Sequence, residues 1–273
     1  MPPVYLNGQL VDAADATVSV FDHGLLTGDG IFESIAIRNG RPFALRRHLA
    51  RLARSATLIG LEIPPADDLA EAAELVSSAA GFDSGKLRIT VTAGPGPLGS
   101  ARGRSAPTVI VACEELSGEV GTASVVLAPW PKSERAPTAG AKTISYADNV
   151  AALSFALARG ASEALFSNLE GNLCEGTGSN VFVGLGAALA TPPLSSGCLA
   201  GVTRALILGV TDAVERDISL AELESADEAF LSSTTRGVQP VESIDGRELA
   251  ACPGPLTQAA SVGFEALTAR GEP

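Results

Sequence analysis

Lys142 is one of only three lysines in a chain of 273 residues, beside Lys86 and Lys132. Lys86 and Lys132 stand in polar, turn-like stretches. Lys142 opens Ala141-Lys142-Thr143-Ile144-Ser145-Tyr146-Ala147-Asp148-Asn149, directly ahead of a helical pattern. Downstream comes Cys174-Glu175-Gly176-Thr177-Gly178-Ser179-Asn180-Val181-Phe182. A lone amine followed by a carboxylate in a glycine-rich turn suits pyridoxal phosphate chemistry. The amine forms a Schiff base and the carboxylate partners the pyridinium nitrogen. Glu175 also reads as an ordinary turn acid, but Gly176 and Gly178 point to close backbone approach rather than a surface loop.

A phosphate needs its own receptors. Ser195-Ser196-Gly197-Cys198-Leu199-Ala200-Gly201-Val202-Thr203-Arg204 runs into a helical pattern. Backbone N–H groups and the helix dipole at such a start suit a dianion, although a plain glycine-rich loop looks the same. Ser232-Ser233-Thr234-Thr235-Arg236-Gly237 offers further N–H and hydroxyl donors. His48 and Arg51 lie one helical turn apart, and a forked guanidinium fits phosphate. With Arg46, Arg47 and Arg54 nearby, the spacing itself favours a solvated helix face. His23 and His48 are the only histidines. That leaves little basis for a histidine metal site or a Ser-His-Asp triad, and His23 reads as structural or pocket-lining.

Hydrophobic residues make up 46% of the chain and mean hydropathy is +0.26, ample for a core. Net charge is −12 and the pI about 4.6, which argues against nucleic acid or an anionic membrane as partner. A local arginine cluster can still receive a small anion. Cys113, Cys174, Cys198 and Cys252 show no metal-ligand spacing. The start, Met1-Pro2-Pro3-Val4-Tyr5, does not read as a signal peptide, and no apolar run approaches the ~20 residues that span a bilayer. A cytoplasmic protein with reduced thiols is expected.

Asn7-Gly8 and Asn39-Gly40 predict tight hairpins, the first joining Val4–Leu6 to Leu10-Val11, the second joining Ile31–Ile37 to Pro42–Leu45. Leu45, Leu49, Leu52, Ala56 and Ile59 predict a helix ending near Gly60, and Asp67 or Asp68 could cap the next, through Val76. Lys86–Thr92 alternates, with Leu87, Ile89 and Val91 opposite Arg88, Thr90 and Thr92, so it reads as a strand with one wet face. Thr108–Cys113 reads as a buried strand. Strands are expected at 123–128, 163–166, 180–183 and 228–232, and helices at 149–159, 202–214 and 256–267. Glu114–Gly121 is the expected linker between a domain at 1–113 and a larger one at 122–273 carrying Lys142. Interleaved strands and helices without a regular βαβ period favour an α+β fold.

Together these residues resemble the class IV aminotransferases, the fold type IV pyridoxal phosphate enzymes. The resemblance runs from Asn7-Gly8 to Pro240-Val241. It includes Gly28-Asp29-Gly30-Ile31-Phe32-Glu33, His48-Leu49-Ala50-Arg51-Leu52, Lys142 with Tyr146 and Asn149, the 175–182 run, Thr191-Pro192-Pro193, Gly201-Val202-Thr203-Arg204 and Ala226-Asp227-Glu228. It implies two α/β domains with pyridoxal 5′-phosphate between them, in a homodimer whose partner loop completes the site. Lys142 would carry the cofactor and act as general acid/base. Glu175 would partner the ring nitrogen, and Tyr146 would donate to the phenolate oxygen. Arg51, Val202, Thr203 and Thr234 would cradle the phosphate, Leu199 would pack on the ring, and Asn180 and Ser233 belong to the same cofactor-binding set.

Substrate residues are less uniform. The D-amino acid members use a tyrosine where Phe32 stands and an Arg-x-His loop where this chain has Thr92–Gly99 without that motif. Branched-chain members carry an arginine on the strand of Arg88, and Thr27 replaces one of their pocket aromatics. Aminodeoxychorismate lyases share Asp22 and the Gly-Asp-Gly run, and some share a segment like 141–147. The expectation is an aminotransferase acting on an amino acid and a 2-oxo acid, D-amino acids slightly ahead of branched-chain ones, with 4-amino-4-deoxychorismate lyase as runner-up. Phe32, Arg88, Thr235 and Arg236 are the expected substrate residues, the two arginines forming a carboxylate clamp.

Overall fold

Asn7 and Gly8 hold φ of 48° and 93°, and Asn39 and Gly40 hold 50° and 73°. Left-handed pairs of this kind close the tightest antiparallel turns. The first folds β1 (Val4–Leu6) onto β2 (Gln9–Val11). A short helix, α1 (His23–Leu26), follows, its Asp22 cap accepting from Gly24 N. The second turn folds β3 (Gly30–Arg38) onto β4 (Arg41–Pro42). The strand expected to reach Leu45 stops early, because Ala44 turns left-handed at φ 54° and Leu45 already opens α2 (Leu45–Ile59). Gly60 ends α2 at φ 62°, as its sequence position predicts. Next come α3 (Ala66–Ala80), β5 (Ser84–Thr92) and β6 (Thr108–Glu115). Pro65, not an aspartate, is the N-cap of α3; Asp67 and Asp68 lie inside its first turn, where they face the positive end of the helix dipole. The sheet order is β2-β1-β6-β5-β3-β4. Leu87, Ile89 and Val91 of β5 share one core with Leu45, Leu49 and Leu52 of α2.

This computed structural model describes residues 2–118 and 120–270. Its second sheet is built from β7 (Ala123–Leu127), β8 (Glu163–Ser167), β9 (Leu173–Gly176), β10 (Asn180–Leu185), β11 (Ala188–Thr191), β12 (Val214–Glu215), β13 (Glu228–Ser233) and β14 (Gly237–Ile244). Their order is β12-β11-β10-β13-β14-β7-β8-β9, and β15 (Arg247–Glu248) pairs with β14. The helices here are α4 (Ala147–Leu157), α5 (Val202–Leu208), α6 (Leu220–Glu224) and α7 (Pro255–Ala269). The helix expected over 202–214 stops at Gly209, and Val214-Glu215 instead pairs in parallel with β11. Val125, Leu165, Val181, Val183, Leu231 and Val241 fill the core of this sheet.

The chain divides into two compact units, but not at a single linker. Glu114 and Glu115 complete β6 opposite Lys86 and Gly85. The first unit runs on to Gly118 and takes back Ala141–Tyr146. The return has a clear cause: Phe32 N donates to Lys142 O at 3.0 Å and Ile144 N to Gly30 O at 2.9 Å, extending β3 beyond β4. Lys142, expected on the C-terminal domain, therefore belongs to the first unit. Met1, Glu119 and residues 271–273 fall within the expected domain and linker ranges but lie outside the described residues.

Candidate active site

In the first unit, glycine makes room for the Lys142 segment. A Cβ on Gly30 would stand 2.7 Å from Val91 O and 2.8 Å from Ile144 Cδ1. Lys142 N donates to Ser55 Oγ at 3.0 Å, which pins its backbone. Its Nζ lies 3.4 Å from the Tyr146 hydroxyl and 4.2 Å from the centre of the Phe32 ring. Phe32 meets Tyr146 edge-on at 5.2 Å. The Arg88 guanidinium stacks 3.7 Å from the Phe32 centre, and its Nε donates to Thr90 Oγ1 at 3.1 Å. Burial lowers the Arg88 pKa, with Tyr146 opposing. Lys142, Tyr146, Phe32 and Arg88 thus form one cluster.

His48 and Arg51 do not sit on a solvated face. They are 1% and 4% exposed and enclose Glu33, which is 0% exposed. Arg51 Nε donates to Glu33 Oε1 at 2.8 Å and Nη2 to Oε2 at 2.6 Å. His48 Nδ1 lies 2.7 Å from Oε2. Burial alone would raise the Glu33 pKa. Hydrogen bonds and charge from Arg51, then His48, outweigh it and hold the carboxyl at about 2. Burial lowers the His48 pKa against the pull of Glu33. Glu33 was not singled out from the sequence, yet a signal was there: on β3 it occupies the same alternating face as Ile31, Ile35 and Ile37. His23, read as structural or pocket-lining, is fully buried. Its Nε2 lies 2.8 Å from Pro97 O, and a carbonyl only accepts, so Nε2 carries the hydrogen.

In the second unit, Glu175 sits on β9, and the glycine-rich turn follows it. It is 5% exposed. Oε2 accepts from Leu199 N at 2.8 Å, and Oε1 meets the Lys132 ammonium. Lys132 is therefore not a mere surface lysine. Asn180 Nδ2 donates to Leu199 O at 2.9 Å, so Leu199 is held through both its N–H and its carbonyl. A Cβ on Gly201 would fall 2.0 Å from Asn180 Oδ1, which ties the loop to β10. Val202 and Thr203 then open α5, which has no side-chain cap.

Ser233, Thr234 and Thr235 are half-buried in the turn that joins β13 to β14. Ser232 Oγ is buried with no hydrogen-bond partner among the described residues. Arg236 departs from the expected clamp. Its Nε donates to Ser233 Oγ at 3.0 Å, and its Nη1 to Gln239 Oε1 at 2.9 Å and to Glu163 Oε2. The other oxygen of Glu163 accepts from Gly178 N at 2.9 Å and Ser179 Oγ at 2.6 Å. Arg236 thus braces the glycine-rich turn through Glu163, a residue the sequence reading passed over as part of a strand.

The first unit offers an amine beside a phenol. The second offers a buried carboxylate, an uncapped helix start and an unpartnered buried hydroxyl. In kind, these are the groups an amine-reactive, phosphorylated aromatic cofactor needs. No group of histidines, cysteines and carboxylates able to hold a metal ion occurs among the described residues.

Comparison with known proteins agrees. The family model for amino-transferase class IV matches residues 30–244. A relative from Methanocaldococcus jannaschii, named provisionally as a branched-chain-amino-acid aminotransferase, is 34% identical over 89% of this chain and 88% of its own. The D-alanine aminotransferase of Bacillus licheniformis is 32% identical over 93% of each chain. The PLP-bound form of a hypothetical aminotransferase from Mycobacterium tuberculosis superposes with a TM-score of 0.87 at 27% identity, covering 97% of this chain and 98% of its own. The chain belongs to the class IV aminotransferase family, and its fold is the α+β, fold type IV architecture of those enzymes.

Proposed function

We propose that this protein is an amino acid aminotransferase with pyridoxal 5′-phosphate as cofactor, acting first on branched-chain or similar apolar L-amino acids and a 2-oxo acid. The observation that carries the reading is the cluster of Lys142, Tyr146, Phe32 and Arg88. The D-amino acid expectation rested on two arginines, and Arg236 is engaged by Glu163. Arg88 remains, on the strand where the branched-chain members carry theirs. D-amino acids are the second reading, favoured by the Bacillus licheniformis relative.

When bound, the cofactor supplies an electron-withdrawing ring that stabilises negative charge at the substrate Cα. Lys142 would hold the cofactor through its amine, and the same amine would serve as general acid/base at the substrate Cα. The Tyr146 hydroxyl would donate toward the cofactor's phenolate oxygen, and Glu175 would receive its ring nitrogen. Arg51, oriented by Glu33, would supply charge to the phosphate, while Val202, Thr203, Ser233 and Thr234 would supply N–H and hydroxyl donors. Leu199, fixed by Asn180, would pack on the ring. Arg88 receives the substrate carboxylate, Phe32 shapes the floor beneath it, and Thr235 lines the approach. Val20, Phe21, Leu25 and Leu98 are exposed, and Gly96 N, two residues before Leu98, donates to Phe21 O, so the two segments present apolar side chains on neighbouring surface, which supports a homodimer. The four cysteines, free of disulfides, are in keeping with the cytoplasm.

The test is a single half-reaction. Protein loaded with the cofactor is mixed separately with L-leucine, L-valine and D-alanine, and the cofactor absorbance is followed to its aminated form. Faster conversion with the L-amino acids is expected. Conversion with D-alanine alone would select the second reading. No conversion, with pyruvate released from aminodeoxychorismate, would replace both with the lyase.

A further inference from the structure

We propose that Lys132 is a positioning residue for the cofactor's ring nitrogen, acting through Glu175: it fixes one carboxylate oxygen and takes a share of its negative charge. The inference rests on the reading of Glu175 as the ring-nitrogen partner. Its own evidence is the way the fold delivers Lys132.

Beyond β7 the chain keeps running along β8. Ala128 N donates to Leu165 O at 2.8 Å and Lys132 N to Ser167 O at 2.8 Å, and Lys132 bridges Asn168. Trp130 packs edge-on against Phe155 at 5.5 Å, which steadies the segment between. On its other side β8 pairs with β9, and Phe166 lies opposite Glu175. The register therefore brings Lys132 to the strand end where Glu175 stands, and its ammonium meets Oε1. Leu199 N already holds Oε2 at 2.8 Å. Each oxygen has one donor, so the carboxylate plane is set before any ligand arrives. An ionised carboxylate offers about four acceptor positions, so both donors leave room for a ring N–H.

The electrostatic consequence has a definite sign. Two cations that share one carboxylate oppose each other. Lys132 therefore weakens the hold of Glu175 on the ring-nitrogen proton and limits how strongly the ring withdraws electrons. Among the described residues, the thiols of Cys174, on its own strand, and Cys198, next to Leu199, also act on Glu175, and the Arg204 guanidinium near Cys198 is paired with Glu215. Burial pushes both thiols up, so they add no charge.

The experiment uses the full chain loaded with pyridoxal phosphate labelled with ¹⁵N in the ring. The nitrogen shift is followed against pH in the unaltered protein and in Lys132→Met and Lys132→Arg. Lys132→Met should bind the ring proton about tenfold or more tightly, a rise of a pH unit or so in its titration. Lys132→Arg, which restores the cation, should titrate like the unaltered protein. If Lys132→Met does not fold, Lys132→Gln carries the same prediction. Normal cofactor uptake with an unmoved or lowered titration would overturn the proposal alone. No uptake by the unaltered chain would overturn the reading of Glu175, and the proposal with it.

Discussion

Glu33 is an acid set among isoleucines. It shares a face of β3 with Ile31, Ile35 and Ile37, and it is as inaccessible as they are. A buried carboxylate persists only with strong partners, and Arg51 and His48 supply them. Glu33→Gln should cost ~3–5 kcal/mol, because it leaves a buried guanidinium without its counter-charge; a urea unfolding curve measures this. The same change should loosen cofactor binding through Arg51. At Lys142 the expectation is the opposite. Lys142→Ala should abolish turnover and leave the unfolding midpoint nearly unchanged, since the amine is placed for chemistry rather than packing. Glu175→Gln should retain cofactor yet slow the half-reaction by roughly 100-fold or more, the usual size of a lost electrostatic stabiliser. A near-normal rate in that variant would show that Glu175 has another role.

At the scale of elements, the loop before α5 depends on one missing side chain. Gly201→Ala would drive a Cβ into Asn180 Oδ1, 2.0 Å away, and break the hold of Asn180 on Leu199. A stability loss of about 1–3 kcal/mol is expected from the overpacking, with a larger loss in cofactor affinity, read by titrating the apoprotein. The local pattern announced α2, α3 and β5 well, because each has one strongly apolar face and a clear glycine stop or hairpin signal. It announced α5 poorly. Val202, Leu206 and Val210 keep a helical spacing that runs into Val214, and nothing local says that Val214 pairs with β11. It also placed Glu175 in a turn, because Gly176 and Gly178 hide the short strand β9. The bracing role of Arg236 was beyond reach for a similar reason: Glu163 belongs to a strand far away in sequence, and only the sheet brings them together.

For the whole molecule, acid is the condition that probes the buried network. The Glu33 carboxyl is held at about 2 in the fold against an ordinary 4.5. The unfolded chain therefore binds more protons between those values, and stability falls as pH drops from 4.5 toward 2, by about 3 kcal/mol in all. His48, lowered from 6.5 by burial, works in the same direction, so the decline should begin below pH 6.5. Unfolding free energies measured across this range should show it, and Glu33→Gln should remove the slope between 4.5 and 2. The division into two units was legible in outline from the polar stretch after β6. The return of Ala141–Tyr146 was not, because it depends on hydrogen bonds to β3 that no local pattern records. That return places Lys142 beside Tyr146 and Phe32, and it is the centre of the account. The most direct measurement is borohydride reduction of the protein loaded with pyridoxal phosphate, followed by peptide mapping. The account predicts stable label on Lys142 alone. Label on Lys86 or Lys132, with Lys142 unmodified, would contradict it.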